Sequence, residues 1–466
     1  MTNIRDIFSR LDDLPSSIWH VKIAGLIATA LFLVAYDITI ISVAAPILRK
    51  AWGLSEATIG VIYSAGFWGL FVGGIVDGVI ADAVGRRKAL ISTMFLYGLM
   101  ILLSAFVQSS TELIILRFLA GIGMGGAVAI RGAYTSEFMP RKTRGRFLGI
   151  FGMLWGLGDA AAYGIGAYVF PMIAEGWRYA FGIGGILPIL VAFILWAGLP
   201  ESPRWLLSQG KIKEAVEVVE KVERKVLGEP TVPFEKALKI EQEKYKSRSR
   251  ETSSWDSIKA LFSPGVGKVQ ALLSTIWFCF NYAKYGLIAW LPMFLARYLH
   301  YPIAHGLNYM FISTAVTTPL SALTAGYFMD YAGRRGTLAT FSLLFAIGGF
   351  FLAWLGTNPL LAVIILGFMG YSLGIVPNSL GAFSSEVLPT KLRGAGIGLA
   401  TSIGRVAGAI AGLVTGILAA WQGLYGVMTM NLIFIIIAVA AVFAFPETKG
   451  KSLEVAAAEV SEGSTE

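Results

Sequence analysis

The sequence predicts an all-α membrane protein, with twelve transmembrane helices in two pseudo-symmetric six-helix bundles joined by a cytoplasmic helical linker. Three observations predict it. Of the 466 residues, 56% are hydrophobic and only 14% are charged, whereas soluble chains average about 45 to 50% apolar and about 25% charged. Twelve stretches are long enough to cross a bilayer, which takes about 20 apolar residues as helix. Three charged motifs then recur in one order: Gly85-Arg86-Arg87 as Gly333-Arg334-Arg335, Glu137 and Arg144 as Glu386 and Arg393, Pro200-Glu201 as Pro446-Glu447. Their offsets of 248, 249 and 246 residues mark two homologous halves.

Taken in order, the spans are expected near 21–45, 57–81, 88–108, 111–136, 147–171 and 179–199 in the first half, and near 268–297, 303–329, 337–356, 359–384, 394–419 and 421–445 in the second. The domains are therefore an N-terminal bundle over 1–199, a linker over 200–267, and a C-terminal bundle with a short tail over 268–466. Lysine and arginine collect on one side of this trace, at 86–88, 141–146, 200–267, 334–335, 391–393 and 449–451. Short cytoplasmic loops gather such residues, so both termini are expected in the cytoplasm and the chain in the cell membrane. The net charge of +9 is then a topology signal rather than a nucleic-acid footprint. The first apolar run is too long, and too soon followed by another, for a cleaved signal peptide. A single cysteine, Cys279, leaves no pair for a disulfide and no cysteine cluster for a metal.

In the linker, Ala215, Val218, Val219, Val222 and Val226 recur at helical spacing among Lys and Glu. A second helical pattern spans Phe234 to Tyr245, and a third holds Trp255, Ile258, Leu261 and Phe262. These are read as amphipathic helices beneath the bundles that latch the halves when the protein opens outward. No phosphate-binding glycine loop accompanies them.

The repeated motifs read as two clasps. A tight turn needs glycine, and its arginines sit beside carboxylates at fixed spacing, which a topology signal alone does not require. The first clasp comprises Asp82, Arg86, Arg87, Glu137, Arg144, Glu201 and Arg204; the second comprises Asp330, Arg334, Arg335, Glu386, Arg393 and Glu447.

The combination resembles the major facilitator superfamily, in its metabolite:proton symporter branch that includes the sugar porters. The residues that carry the likeness are the doubled loop motif, Pro200-Glu201-Ser202-Pro203-Arg204, Pro446-Glu447-Thr448-Lys449-Gly450, Arg117 with Gly121 and Gly123, and Tyr36-Asp37 with Ser42. The resemblance implies two bundles rocking about a central site, with the proton as coupling ion and no other cofactor. It also implies that Asp37 carries the proton and that Arg117 tunes it. The two fall at similar depth in spans one and four, and ionisable residues inside a membrane default to function.

The seventh span departs from the sugar porters. Their glutamine pair is replaced by Phe280-Asn281-Tyr282-Ala283-Lys284-Tyr285, so a lysine enters the expected substrate position. Arg131 and Arg405 add further buried cations, with Asp159 as the added acid and Asn378 as a polar neighbour. Arg131 lies close enough to the cytoplasmic side to snorkel instead. Surplus fixed cations favour an anion, because a guanidinium can hold a carboxylate by two hydrogen bonds. The string from Tyr285 to Pro292 is also similar to transporters of nicotinate and aromatic acids in this branch. The expected function is proton-coupled symport of a small organic anion, carried by a monomer in the bilayer. A sugar or polyol symporter is the alternative, and a transporter-like sensor or membrane enzyme is a third reading. The three histidines, His20, His300 and His305, all fall near span ends, where they assemble no catalytic group.

Overall fold

The structure is a computed structural model that describes residues 7–173, 175–247, 259–263, 265–389 and 392–450. Among these, every regular element is helical. A short helix α1 (Ile7–Asp12) precedes six long ones: α2 (Ile18–Trp52), α3 (Glu56–Val84), α4 (Arg86–Ser104), α5 (Ser110–Phe138), α6 (Arg144–Tyr168) and α7 (Gly176–Gly198). The linker contributes α8 (Pro203–Ser208), α9 (Ile212–Leu227) and α10 (Phe234–Ser247). The second half holds α11 (Val266–Ile288), α12 (Leu291–Arg297), α13 (Ile303–Leu355), α14 (Pro359–Val387) and α15 (Arg393–Phe443).

Eight helices among the described residues are long and apolar enough to cross a membrane. Two of the eight are double. α13 turns at Gly333 (φ 77°, ψ 174°) into 303–332 and 334–355, and α15 turns at Gly423 (φ 66°, ψ −159°) into 393–422 and 424–443. Both backbones lie in the left-handed half of conformational space that glycine alone enters freely. The seventh predicted span is broken rather than continuous. α11 ends at Ile288, and α12 restarts with Pro292 in its first turn, because proline suits a helix start and disrupts an interior.

Boundaries follow local chemistry. Ser55 and Ser109 cap α3 and α5 by accepting the backbone N–H of Thr58 and Glu112, and Asn358 caps α14 through two backbone donors. Within the first half α3 lies along α5, α2 along α6 and α4 along α7; in the second, α11 lies along α15 and α13 along α14. Glycines make the α3–α5 seam. A Cβ at Gly69 or Gly73 would strike the carbonyls of Phe118 or Ile122, so the backbones approach as closely as small-residue membrane packing allows.

The linker helix α9 buries Ala215, Val219 and Val222 of the predicted face together with Val216, while Val218 and Val226 are half-buried. It packs on α1, α2, α8 and α10, on the first-half side. Arg10 of α1 donates to both oxygens of Glu223 at 2.9 and 2.5 Å, and Thr231 adds two more donors to the same carboxylate. Burial alone would raise the Glu223 pKa; these donors outweigh it and hold the group below its ordinary value. Of the third predicted linker pattern, Trp255 and Ile258 lie outside the described residues, as do Lys391 and the side chain of Arg144, while Leu261 is buried and Phe262 exposed.

Candidate functional site

Asp37 and Arg117 meet deep between α2 and α5. The guanidinium donates to the carboxylate at 3.0 and 3.3 Å and to the Asp37 carbonyl at 3.2 Å. Asp37 is wholly buried and Arg117 is 2% exposed. The Phe181 ring of α7 closes over the guanidinium, 4.8 Å from its centre. Separating such a pair inside a membrane is costly unless another charge or a proton replaces the lost partner.

Beside this pair lies a cavity of about 50 Å³ between the halves, bordered by Thr39, Arg117, Trp155, Asp159, Lys284 and Tyr285. One water needs about 10 to 15 Å³ by this measure, so the space takes a few waters in the present arrangement. Thr39, two residues beyond Asp37, donates to Asp159 at 2.6 Å. Across the gap, the Lys284 ammonium stands 4.9 Å from the Tyr285 ring. Tyr285 in turn packs on Phe67 of α3 with ring centres 4.5 Å apart. One acid, two cations and an aromatic wall therefore converge, and Arg117 borders both the cavity and Asp37.

Other predicted residues lie beside the cavity rather than in its lining. Phe280 is buried in packing, and Asn281 donates to the Trp277 carbonyl at 2.8 Å and lies against Gly404. Arg405 reaches from α15 into space left by Gly74 and donates to the Leu70 carbonyl at 3.4 Å, crossing from one half to the other. Arg131 lies near enough to Arg405 to feel its charge. Asn378 donates to the Gly374 carbonyl and faces Gly152. Asp159, itself half-buried, is not the only further acid within the spans, since Asp77 of α3 is buried against Gly126. Its place in an apolar run is visible in the sequence, and the sequence reading passed it over.

The two clasps are built from the same parts. Arg86 pairs with Glu137, which also accepts from Ser202, and Glu201 accepts from the backbone of Arg87 at 3.0 Å. Arg334 pairs with Glu386 at 2.9 Å, Thr448 donates to Glu386 at 2.5 Å, and Glu447 accepts from the backbones of Arg334 and Arg335 at 2.9 and 3.1 Å. Arg87 and Arg335 each donate to a helix-end carbonyl, of Trp196 and Phe443. Asp330 adds a 3.7 Å contact to Arg334, whereas Asp82 takes part through its backbone carbonyl, which accepts from the Trp205 indole at 2.8 Å. Arg204 stacks over Phe8 rather than joining the first clasp, and Arg393 is the first residue of α15.

At the opposite end a contact not anticipated from sequence joins the halves. Glu56, the first residue of α3, pairs with Arg297, the last of α12. Nearby, Gly60 abuts the Gly412 carbonyl, Trp290 donates to that carbonyl at 3.2 Å, and Tyr168 donates to Asn308 at 2.6 Å. Glu56 and Arg297 sit at helix ends, where sequence offers no clue that two residues 241 positions apart will meet.

Comparison with known proteins agrees with this architecture. The chain is 30% identical over 453 residues to the niacin transporter NiaP of Acinetobacter baylyi, covering 96% of this chain and 99% of that one. It is 28% identical over 421 residues to the 4-hydroxybenzoate transporter PcaK of Pseudomonas aeruginosa, covering 87% and 88%. In fold it is similar to the proton:xylose symporter XylE bound to 6-bromo-6-deoxy-D-glucose, with a TM-score of 0.73 at 21% identity over 95% of this chain and 98% of that one. The homologues and fold neighbours are membrane transporters, not enzymes. The Major Facilitator Superfamily model matches residues 27–411 and 305–463, and the chain belongs to that superfamily.

Proposed function

We propose that the protein is a twelve-helix, alternating-access symporter that moves a small aromatic monocarboxylate together with protons. The two bundles are 1–199 and 268–466, the linker helices lie in the cytoplasm, and Asp37 carries the proton.

The observation that carries this reading is the double position of Arg117. Its guanidinium is the only cation paired with Asp37 among the described residues, and it also borders the cavity. A carboxylate entering between Lys284 and Arg117 draws the guanidinium toward itself. Asp37 is left buried without its counterion and takes up a proton, since desolvation disfavours its charged form. Anion and proton then cross together, with the charge that either would carry alone largely cancelled. Lys284 holds the carboxylate, Phe67 and Tyr285 part to receive the ring, and Asp159 with Thr39 accepts from a hydroxyl or ring N–H. The relatives named for niacin and 4-hydroxybenzoate support a substrate of this shape. The Glu56–Arg297 contact closes the outer end between the two halves.

Uptake into proteoliposomes tests the reading. Nicotinate, 4-hydroxybenzoate and xylose are supplied with and without an inward proton gradient. Gradient-dependent accumulation of an aromatic acid is expected. Accumulation of xylose alone would favour the sugar porter, and no gradient dependence would leave a uniporter or exchanger.

A further inference from the structure

A second cavity, of about 500 Å³, lies far from the transport site, where the α9 helix passes beneath the ends of α4 and α7. Its volume is in the range of ordinary ligand sites. One face of α9 lines it, with Lys211, Val218, Lys221 and Lys225 at helical spacing, and Arg87 and Lys88 stand opposite. Five cations thus face three carboxylates, Glu201, Glu214 and Glu217.

Two of those carboxylates are already engaged. Glu201 accepts from the backbones of Arg87 and Ser202, and Glu214 lies 3.8 Å from Lys211. Lys88, Lys221 and Lys225 have no ion-pair partner among the described residues, so the groove holds a surplus of unneutralised positive charge. The groove also opens beside an apolar strip. Trp196, whose carbonyl Arg87 binds, is 64% exposed, and Phe193 one turn earlier is 59% exposed, as befits the lipid-facing side of a membrane helix. Trp19 completes the rim, an indole where headgroup and acyl chain meet.

We propose that this groove is a binding site for an anionic phospholipid, with the phosphate among Lys88, Lys221 and Lys225 and the acyl chains along Phe193 and Trp196. The adjoining apolar strip separates this from a site for a free phosphate, which would have no use for it. Basic pockets at the ends of membrane helices are a recognised physical solution for such headgroups. A lipid there would add a further tie between α9 and the first half, beside the buried face that already packs there.

The test uses full-length protein in phosphatidylcholine nanodiscs with graded phosphatidylglycerol, reading retained lipid by native mass spectrometry. Wild type is expected to retain phosphatidylglycerol selectively. The triple variant Lys88→Gln, Lys221→Gln, Lys225→Gln is expected to lose on the order of a hundredfold in apparent affinity, at about 1 kcal/mol per cation. Lys50→Gln, at the far end of α2, should change nothing. All four residues are solvent-exposed, and circular dichroism checks that the variants fold, with Lys221→Gln alone as the milder version. Equal retention by wild type and triple variant overturns the site, as does equal retention of phosphatidylcholine. Displacement by millimolar inorganic phosphate or glycerol phosphate would make it a soluble-anion site instead and overturn the lipid assignment.

Discussion

The two clasps use one set of parts under different cover. In the first half, Glu137 is almost completely enclosed, with 1% of its side chain exposed, and Trp205 and Arg204 tie the linker and α1 over the loop. In the second, the Glu386 side chain is 13% exposed, and Lys449 bonded to the Tyr331 carbonyl is the nearest counterpart to that roof. Identical donors and acceptors therefore sit in different dielectric surroundings, and the same ion pair is worth more where water is excluded. The halves diverge further within the membrane. α11 begins 248 residues after α2, and α14 begins 249 after α5. At those offsets Asp37 corresponds to Tyr285, Arg117 to Leu366, and Tyr36 to Lys284. The repeat preserves the parts of the clasps, and the halves differ where Asp37, Arg117 and Lys284 lie.

Giving the first half the chemistry of the second breaks this contrast most severely. Arg117→Leu strands the buried Asp37 charge, with an expected loss of about 3 to 5 kcal/mol of stability read as a fall in melting temperature. Adding Asp37→Asn should recover most of that stability without restoring gradient-driven uptake. Asp37→Asn alone should cut concentrative uptake by on the order of a hundredfold and spare substrate exchange; unchanged dependence on the pH gradient would remove Asp37 from the coupling role. Next in size, Lys284→Gln should weaken a carboxylate such as nicotinate by about 10- to 100-fold, the worth of a charged hydrogen bond, and weaken nicotinamide by much less. Equal losses for acid and amide would exclude Lys284 as the anion's partner.

The clasps themselves should show a smaller, graded difference. Glu137→Gln is expected to cost about 2 to 3 kcal/mol and Glu386→Gln about 1 kcal/mol, following their burial, by thermal denaturation in matched detergent. Equal costs would mean that the linker's cover contributes nothing. The smallest effect concerns that cover. Because the folded Glu223 pKa lies below its ordinary value, its contribution is present above the ordinary glutamate range and fades as pH falls through the depressed value. Hydrogen exchange at Ile7–Asp12 should therefore quicken as pH drops below about 4, relative to a Glu223→Gln variant in which the acid-dependent part is already absent.

Much of this molecule was legible in its sequence, for identifiable reasons. Long apolar runs set the helices, and doubled motifs exposed the repeat together with the clasp residues Arg86, Glu137, Arg334 and Glu386. Asp37 and Arg117 stood out because charge is rare inside a membrane span. Partners were harder to read. The sequence offered Glu137 and Arg144 together as partners for the loop of Asp82, Arg86 and Arg87 without showing which would meet which, and nothing in it showed that Ser202 and Thr448 would serve the two glutamates. The cavity lining mixed signals further, because Phe67, Thr39 and Trp155 resemble ordinary core residues until helices far apart in sequence bring them together. Asn281 and Asn378 looked like ligand contacts, yet each spends a donor on its own helix one turn back, a choice that composition does not encode.

The pairing of Glu56 with Arg297 has a consequence for anything that approaches from that end. Glu56 is 4% exposed and Arg297 is 42% exposed, so opening there must separate the two and return a hidden carboxylate to water. A solute arriving on that side can bind only the fraction of molecules already parted, and its apparent affinity is diluted by that fraction. Each 1.4 kcal/mol by which the contact favours the shut form makes the transporter look about tenfold weaker to such a solute, with no change in any residue that touches it. Affinity measured on that face would then depend partly on two residues outside the cavity lining.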